Sequence, residues 1–106
     1  MSINDSDDDQ ISTLQQKVHQ FEVANGFDQQ SAILKCVLLG EEVGELFKAV
    51  RSASGVGMDS SSVSKAVGEE LADVFIFLLA LANRFGLKLC EETNRKLELN
   101  SLRTWK

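Results

Sequence analysis

Two short stretches carry residues whose types and spacing can do chemistry. The first is Gly40-Glu41-Glu42-Val43-Gly44-Glu45, and the second is Glu69-Glu70-Leu71-Ala72-Asp73. Both set carboxylates inside otherwise apolar sequence, where ionised acids are rare unless something pairs with them. If each stretch is helical, the spacing of three from Glu42 to Glu45 separates them by about 60° around the axis. Glu41 lies one turn from Glu45. Glu70 and Asp73 repeat the spacing of three, and Glu69 stands one turn below Asp73. Carboxylates crowded in this way repel, and repulsion is relieved by protonation or by a cation. Hard oxygen ligands with no histidine or cysteine beside them favour magnesium, with manganese as the alternative, over zinc. A di-iron bundle is disfavoured, because that pattern places His three residues after Glu. A helix face of acids is also commonly just solvated and paired with lysines, here Lys48 and Lys65.

The elements that must hold these residues are helices. The chain has 106 residues, one domain in size, with no proline, no tyrosine and much Leu, Ala, Glu and Lys. Residues 1–9 read as a flexible acidic lead-in and 10–106 as one helical domain. A first helix is expected from about Gln10 to Asn25, with Ile11, Leu14, Val18 and Phe21 as its apolar stripe. Asn25-Gly26 ends it. A second is expected from about Gln29 to Ser52, capped by Asp28. It carries Gly40 and Gly44, whose helix cost points to close approach of another helix or a ligand. A loop of small residues, Ser52–Gly57, leads to a third helix, capped by Asp59 or Ser60 and ended by Gly86. From Leu71 to Leu81 this helix is apolar on every face except at Asp73, which predicts burial beyond what one short chain provides, and hence a partner copy. A fourth helix, from about Leu87 to Leu102, turns Leu89, Thr93, Leu97 and Leu102 inward. It aligns Lys96, Asn100 and Arg103 on one face. The fold class is therefore all-α, a four-helix chain forming an oligomeric helix bundle.

The net charge of −5 and the lack of a basic stripe argue against nucleic-acid binding. The longest apolar run, Val74–Ala82, is too short to span a bilayer. Cys36 and Cys90 have no CxxC spacing and read as packed, reduced thiols. With an acidic start that resembles no signal peptide, these features lead us to expect a cytoplasmic protein.

Gly40-Glu41-Glu42-Val43-Gly44-Glu45-Leu46, then Glu70-Leu71-Ala72-Asp73, resembles the EExxE…ExxD signature of the MazG-like nucleoside triphosphate pyrophosphohydrolases, in the all-α NTP pyrophosphatase superfamily. Lys96-Leu97-Glu98-Leu99-Asn100-Ser101-Leu102-Arg103 resembles the family's KxxxNxxR segment. The resemblance covers roughly Phe27 to Arg103. It implies a magnesium-dependent enzyme that cleaves a nucleoside triphosphate between its α and β phosphates, in many relatives as nucleotide house-cleaning, and that works as a homodimer or a tetramer of dimers. It implies Glu42, Glu45, Glu70 and Asp73 as metal ligands, Glu41 as a residue that binds metal or orients a water, and Glu41 and Glu42 as the candidate catalytic carboxylates. It also implies Lys96, Asn100 and Arg103 as phosphate or sugar contacts. Phe27 and His19 are candidate substrate contacts, as is Gln30, and Trp105 is a candidate for sealing a core or stacking on a base. A phosphoribosyl-ATP or dUTP-type pyrophosphatase of the same superfamily is an alternative. So is a noncatalytic helical module that dimerises through the third helix.

Overall fold

The computed structural model describes the backbone of residues 5–55 and 60–103 and the side chains of residues 10–55 and 66–103. Lys65, Trp105, the Asp59/Ser60 cap and the Val56–Gly57 half of the loop lie outside what can be described. The described residues form four α-helices: α1 (Asp5–Asn25), α2 (Ala32–Ala53), α3 (Ser60–Arg84) and α4 (Leu89–Ser101). They contain no strand. The all-α expectation holds at this level.

The helix ends follow from local chemistry. α1 starts at Asp5, earlier than its apolar stripe requires. Between α1 and α2 the chain makes a 3-10 turn, Phe27–Gln29. Asp28 falls in that turn, where Gln29 Nε2 donates to its carboxylate at 3.1 Å, and so does not cap α2. Ser31 caps it instead: its backbone is extended and its hydroxyl accepts from Leu34 N at 3.1 Å. α3 ends as expected at Gly86, whose φ of 65° is the left-handed conformation. Leu87 N donates to Ala82 O and Gly86 N to Asn83 O, the paired bonds of a Schellman stop. α4 has no side-chain cap of its own. Gln15 of α1 supplies one from a distance, accepting from Leu89 N at 3.0 Å. Gln15 also donates to Asn83 and to the Leu87 carbonyl, so one buried amide ties α1 to the α3–α4 corner.

α2 and α3 form the most extensive helix pair. They run antiparallel, since Lys35 of α2 meets Phe77 while Glu42, two turns further on along the same face, meets Glu70 and Asp73. α1 packs across α3, with Val18, Leu79 and Ala80 at the centre and Ile11, Phe75 and Leu89 around them. α4 packs chiefly against α1. Leu89 and Asn100 are half-buried, but Thr93, Leu97 and Leu102 are exposed rather than inward-facing.

Much apolar surface faces outward. On α2, Ile33, Val37, Gly40, Gly44 and Phe47 recur at spacings of four and three and so share one face. Ile33 and Phe47 are 79% and 68% exposed. A Cβ on Gly40 or Gly44 would meet nothing within 4 Å, so the close approach these glycines permit is not made by this chain's described residues. On α3, Leu71, Ile76 and Leu78 are also exposed.

Candidate functional site

The inward face of α2 carries Lys35, Leu38 and Glu42 at spacings of three and four. Opposite it, α3 presents Glu70, Asp73, Phe77 and Ala80 at the same kind of spacing. The antiparallel pairing therefore brings the two acidic stretches together. One carboxylate oxygen from each of Glu42, Glu70 and Asp73 lies within 4.8 Å of the others. Glu42 and Glu70 are half-buried and Asp73 is exposed. Glu70 Oε2 is buried and has no hydrogen-bond partner. A buried oxygen left without a donor is costly, and a bound cation removes that cost. The donor set is all carboxylate, which fits magnesium or manganese. Burial, then the negative charges of Asp73, Glu70, Glu45 and Glu41, push the Glu42 carboxyl above its ordinary value.

The structure separates the expected ligands into two groups. Glu42, Glu70 and Asp73 converge. Glu45 and Glu41 are exposed, and Glu45 is drawn towards Lys48 at 3.8 Å, a surface pair of little energetic consequence. Glu69 is exposed as well.

Beside the acids, α1, the 3-10 turn, α2 and α3 enclose a cavity of about 290 Å³. Its walls are Val18, Phe21, Phe27, Leu38, Ile76 and Phe77, and its polar lining is Glu22, Gln30, Lys35 and Asp73. Asp73 thus belongs to both the acidic group and the cavity. Phe21 and Phe27 pack at 6.1 Å between centroids with their planes tilted by 57°. Phe27 and Gln30 fall inside this cavity. His19 does not line it. It is exposed, beside a separate polar depression formed with Gln15, Gln16, Gln20 and Asn83. Lys96 and Arg103 are exposed and Asn100 is half-buried on α4. None of the three lines the cavity.

The cavity floor holds Glu22 and Lys35, and Arg84, outside the lining, pairs with Glu22; the sequence singled out none of the three. Glu22 is 3% and Lys35 5% exposed. Arg84 Nη1 and Nη2 donate to the two oxygens of Glu22 at 2.9 and 3.0 Å, and Lys35 Nζ reaches Glu22 Oε2 at 2.7 Å. Arg84 also donates to the carbonyls of Phe27, Gln30 and Ala80, each at 2.9 Å. That uses all five guanidinium N–H groups and fixes the 3-10 turn against α3. Burial alone would raise the Glu22 carboxyl; the hydrogen bonds and charges of Arg84 and Lys35 overcome it and hold the carboxyl below its ordinary value.

No protein-family model, curated protein sequence or solved structure matches the chain.

Proposed function

We propose that this chain is a magnesium-dependent nucleoside triphosphate pyrophosphohydrolase of the MazG-like kind, cleaving (d)NTP to (d)NMP and pyrophosphate among cytoplasmic nucleotides. One observation carries the reading. A carboxylate triad with an unpartnered buried oxygen adjoins a phenylalanine-lined cavity through a shared residue, Asp73. Such a site offers metal ligands for a triphosphate beside a slot for a flat ring. The order of the acidic and basic motifs along the sequence supports the same reading.

Glu42, Glu70 and Asp73 would hold the divalent ion, with Glu45 available once it leaves Lys48. When bound, the ion offsets charge on the phosphates and on the pyrophosphate leaving group. Phe21, Phe27 and Phe77 exclude water from the ring. In this reading Glu42 or Glu41 would accept a proton from a water attacking the α phosphorus. Lys96, Asn100 and Arg103 bind phosphate or sugar in this reading, brought in from a second subunit. A homodimer would supply that subunit and cover the exposed apolar residues of α2 and α3. A house-cleaning role follows from the family resemblance.

The test is a panel of NTPs and dNTPs incubated with and without magnesium, with pyrophosphate and orthophosphate measured separately. Pyrophosphate release that requires magnesium and is lost in Glu70→Gln is the expected result. Orthophosphate release instead would overturn α–β cleavage. No release from any nucleotide would leave the noncatalytic module as the better account.

A further inference from the structure

The donors at the cavity floor can be counted. Arg84 has none left, because each of its N–H groups already meets an acceptor. Lys35 has three protons on Nζ. One goes to Glu22 Oε2 at 2.7 Å and one to Gln30 Oε1 at 2.8 Å. No third acceptor for Nζ exists among the described residues. The ammonium lies 5.0 Å from the Phe77 centroid and 5.6 Å from that of Phe27, between two of the walls. Gln30 must turn its oxygen towards Lys35, since an ammonium only donates. Its amide nitrogen therefore points elsewhere, and no acceptor for it exists among the described residues either. The acceptors can be counted too. Glu22 receives from Arg84 on both oxygens and from Lys35 on one of them. The trio of Glu22, Lys35 and Arg84 carries one positive charge in excess. An apolar slot with spare donors at its floor is complementary to a flat ring with an electron-rich oxygen on its edge.

We propose that Lys35 is the specificity-determining residue of the site: its uncommitted N–H donates to a ring carbonyl oxygen and selects carbonyl-bearing bases over adenine. This rests on the nucleotide reading above. Uracil, thymine, guanine and hypoxanthine all offer such an oxygen at the 4- or 6-position. Adenine offers an amino group at the corresponding edge, which places donor against donor. A site built to hydrogen-bond one group discriminates against a ligand that leaves its buried donor unpaired. A hydrogen bond from a charged donor corresponds to a preference of about tenfold to a hundredfold.

The experiment compares ligands first, so it does not depend on a variant folding. Inosine and adenosine nucleotides differ at this carbonyl. Binding of IMP and AMP to the wild-type chain is titrated by calorimetry without metal, and kcat/KM is measured for ITP and ATP with magnesium. A preference of about tenfold or more for the inosine nucleotide in both assays is expected. In Lys35→Met, which keeps the apolar stem and leaves Glu22 paired with Arg84, the preference should fall to within about twofold. The change should lie in KM rather than kcat, with circular dichroism confirming the helical fold. Equal treatment of the two bases by the wild type, or a preference that survives Lys35→Met, would overturn the proposal. The two readings fail differently. Hydrolysis without base preference removes the Lys35 role and keeps the enzyme. A Lys35-dependent preference in binding, without pyrophosphate release, keeps the Lys35 role and removes the enzyme.

Discussion

Replacing Glu42 with Gln removes one charge from the carboxylate triad with little change of shape. The three oxygens lie within 4.8 Å of one another. Two unit charges at that separation repel by about 1 kcal/mol in a water-like dielectric and about 3.5 kcal/mol at an effective value of 20. Asp73 is exposed and Glu70 half-buried, so the lower figure governs, and salt reduces it further. Two such pairs vanish in Glu42→Gln, which predicts a gain of about 1–2 kcal/mol for the metal-free protein at neutral pH. For a domain of this size that is a rise in Tm of roughly 5–10 °C. Magnesium should reverse the order. At a hundred times its Kd, the ion stabilises the wild type by about 2.7 kcal/mol, and the variant, with one ligand weakened, gains much less. Thermal unfolding by circular dichroism in EDTA and in excess magnesium, at one fixed protein concentration, measures both effects. pH separates repulsion from a packing effect. The Glu42 carboxyl is raised above 4.5 in the folded chain, so the folded state binds more protons there than the unfolded state. The stability it contributes is fully present below 4.5 and is lost as pH rises through the raised value. Glu42→Gln should flatten that limb. A variant that melts lower than wild type in EDTA, or that keeps the full magnesium shift, would refute the argument that these acids form a strained cation site.

The other buried acid should behave in the opposite sense. Glu22 is held below 4.5 by Arg84 and Lys35, so its contribution is present above 4.5 and is lost as pH falls through the lowered folded value. Glu22→Gln leaves two cations without their counter-charge and should cost about 3–5 kcal/mol in urea unfolding, with a weaker pH dependence on the acid side. Gln15→Ala strips the cap from α4 and the donor from the Leu87 carbonyl. A loss of about 1–3 kcal/mol is expected, with faster amide hydrogen exchange concentrated at Leu89 and the next turn. Phe47→Lys puts a charge on the exposed glycine face of α2, and light scattering after size exclusion should show the dimer shifted to monomer. A chain that is monomeric before the substitution contradicts the dimer proposal.

The parts legible in the sequence were those set by short-range spacing. The stop at Gly86 was readable because a glycine follows a long apolar helix, and the φ of 65° there is what its side chain permits. The acidic group was half readable. Spacing of three and four places Glu42 and Glu45 near one another on α2, but it does not say which of them faces α3. That choice is made by the packing of Lys35, Leu38 and Glu42 on a single inward face, with Glu45 turned far enough to meet Lys48 instead. The α2 cap was misplaced for a similar reason. Asp28 and Ser31 are both good caps by type, and the Arg84 bonds to the carbonyls of Phe27 and Gln30 hold the intervening residues in a separate turn. Those bonds cross more than fifty positions of sequence, and no periodicity encodes a partner at that distance.

The Glu22–Lys35–Arg84 floor was the least legible part and the most informative one. Each residue alone resembles an ordinary surface charge at the edge of an apolar stripe. Only a count of the pairs shows that two cations share one buried carboxylate. An excess charge in that position is expensive to maintain for stability alone, because replacing a buried ion cluster by apolar side chains is often neutral or favourable. It lies under three phenylalanines, next to the carboxylate group, a placement that the proposed ligand-binding role would account for. The sign of the charge is opposite on the two sides of Asp73, negative at the triad and positive at the floor. A ligand bridging the two must offer positive charge, or accept it through a metal, at one end and present an acceptor at the other. A metal-bound triphosphate ending in a carbonyl-bearing base meets both demands.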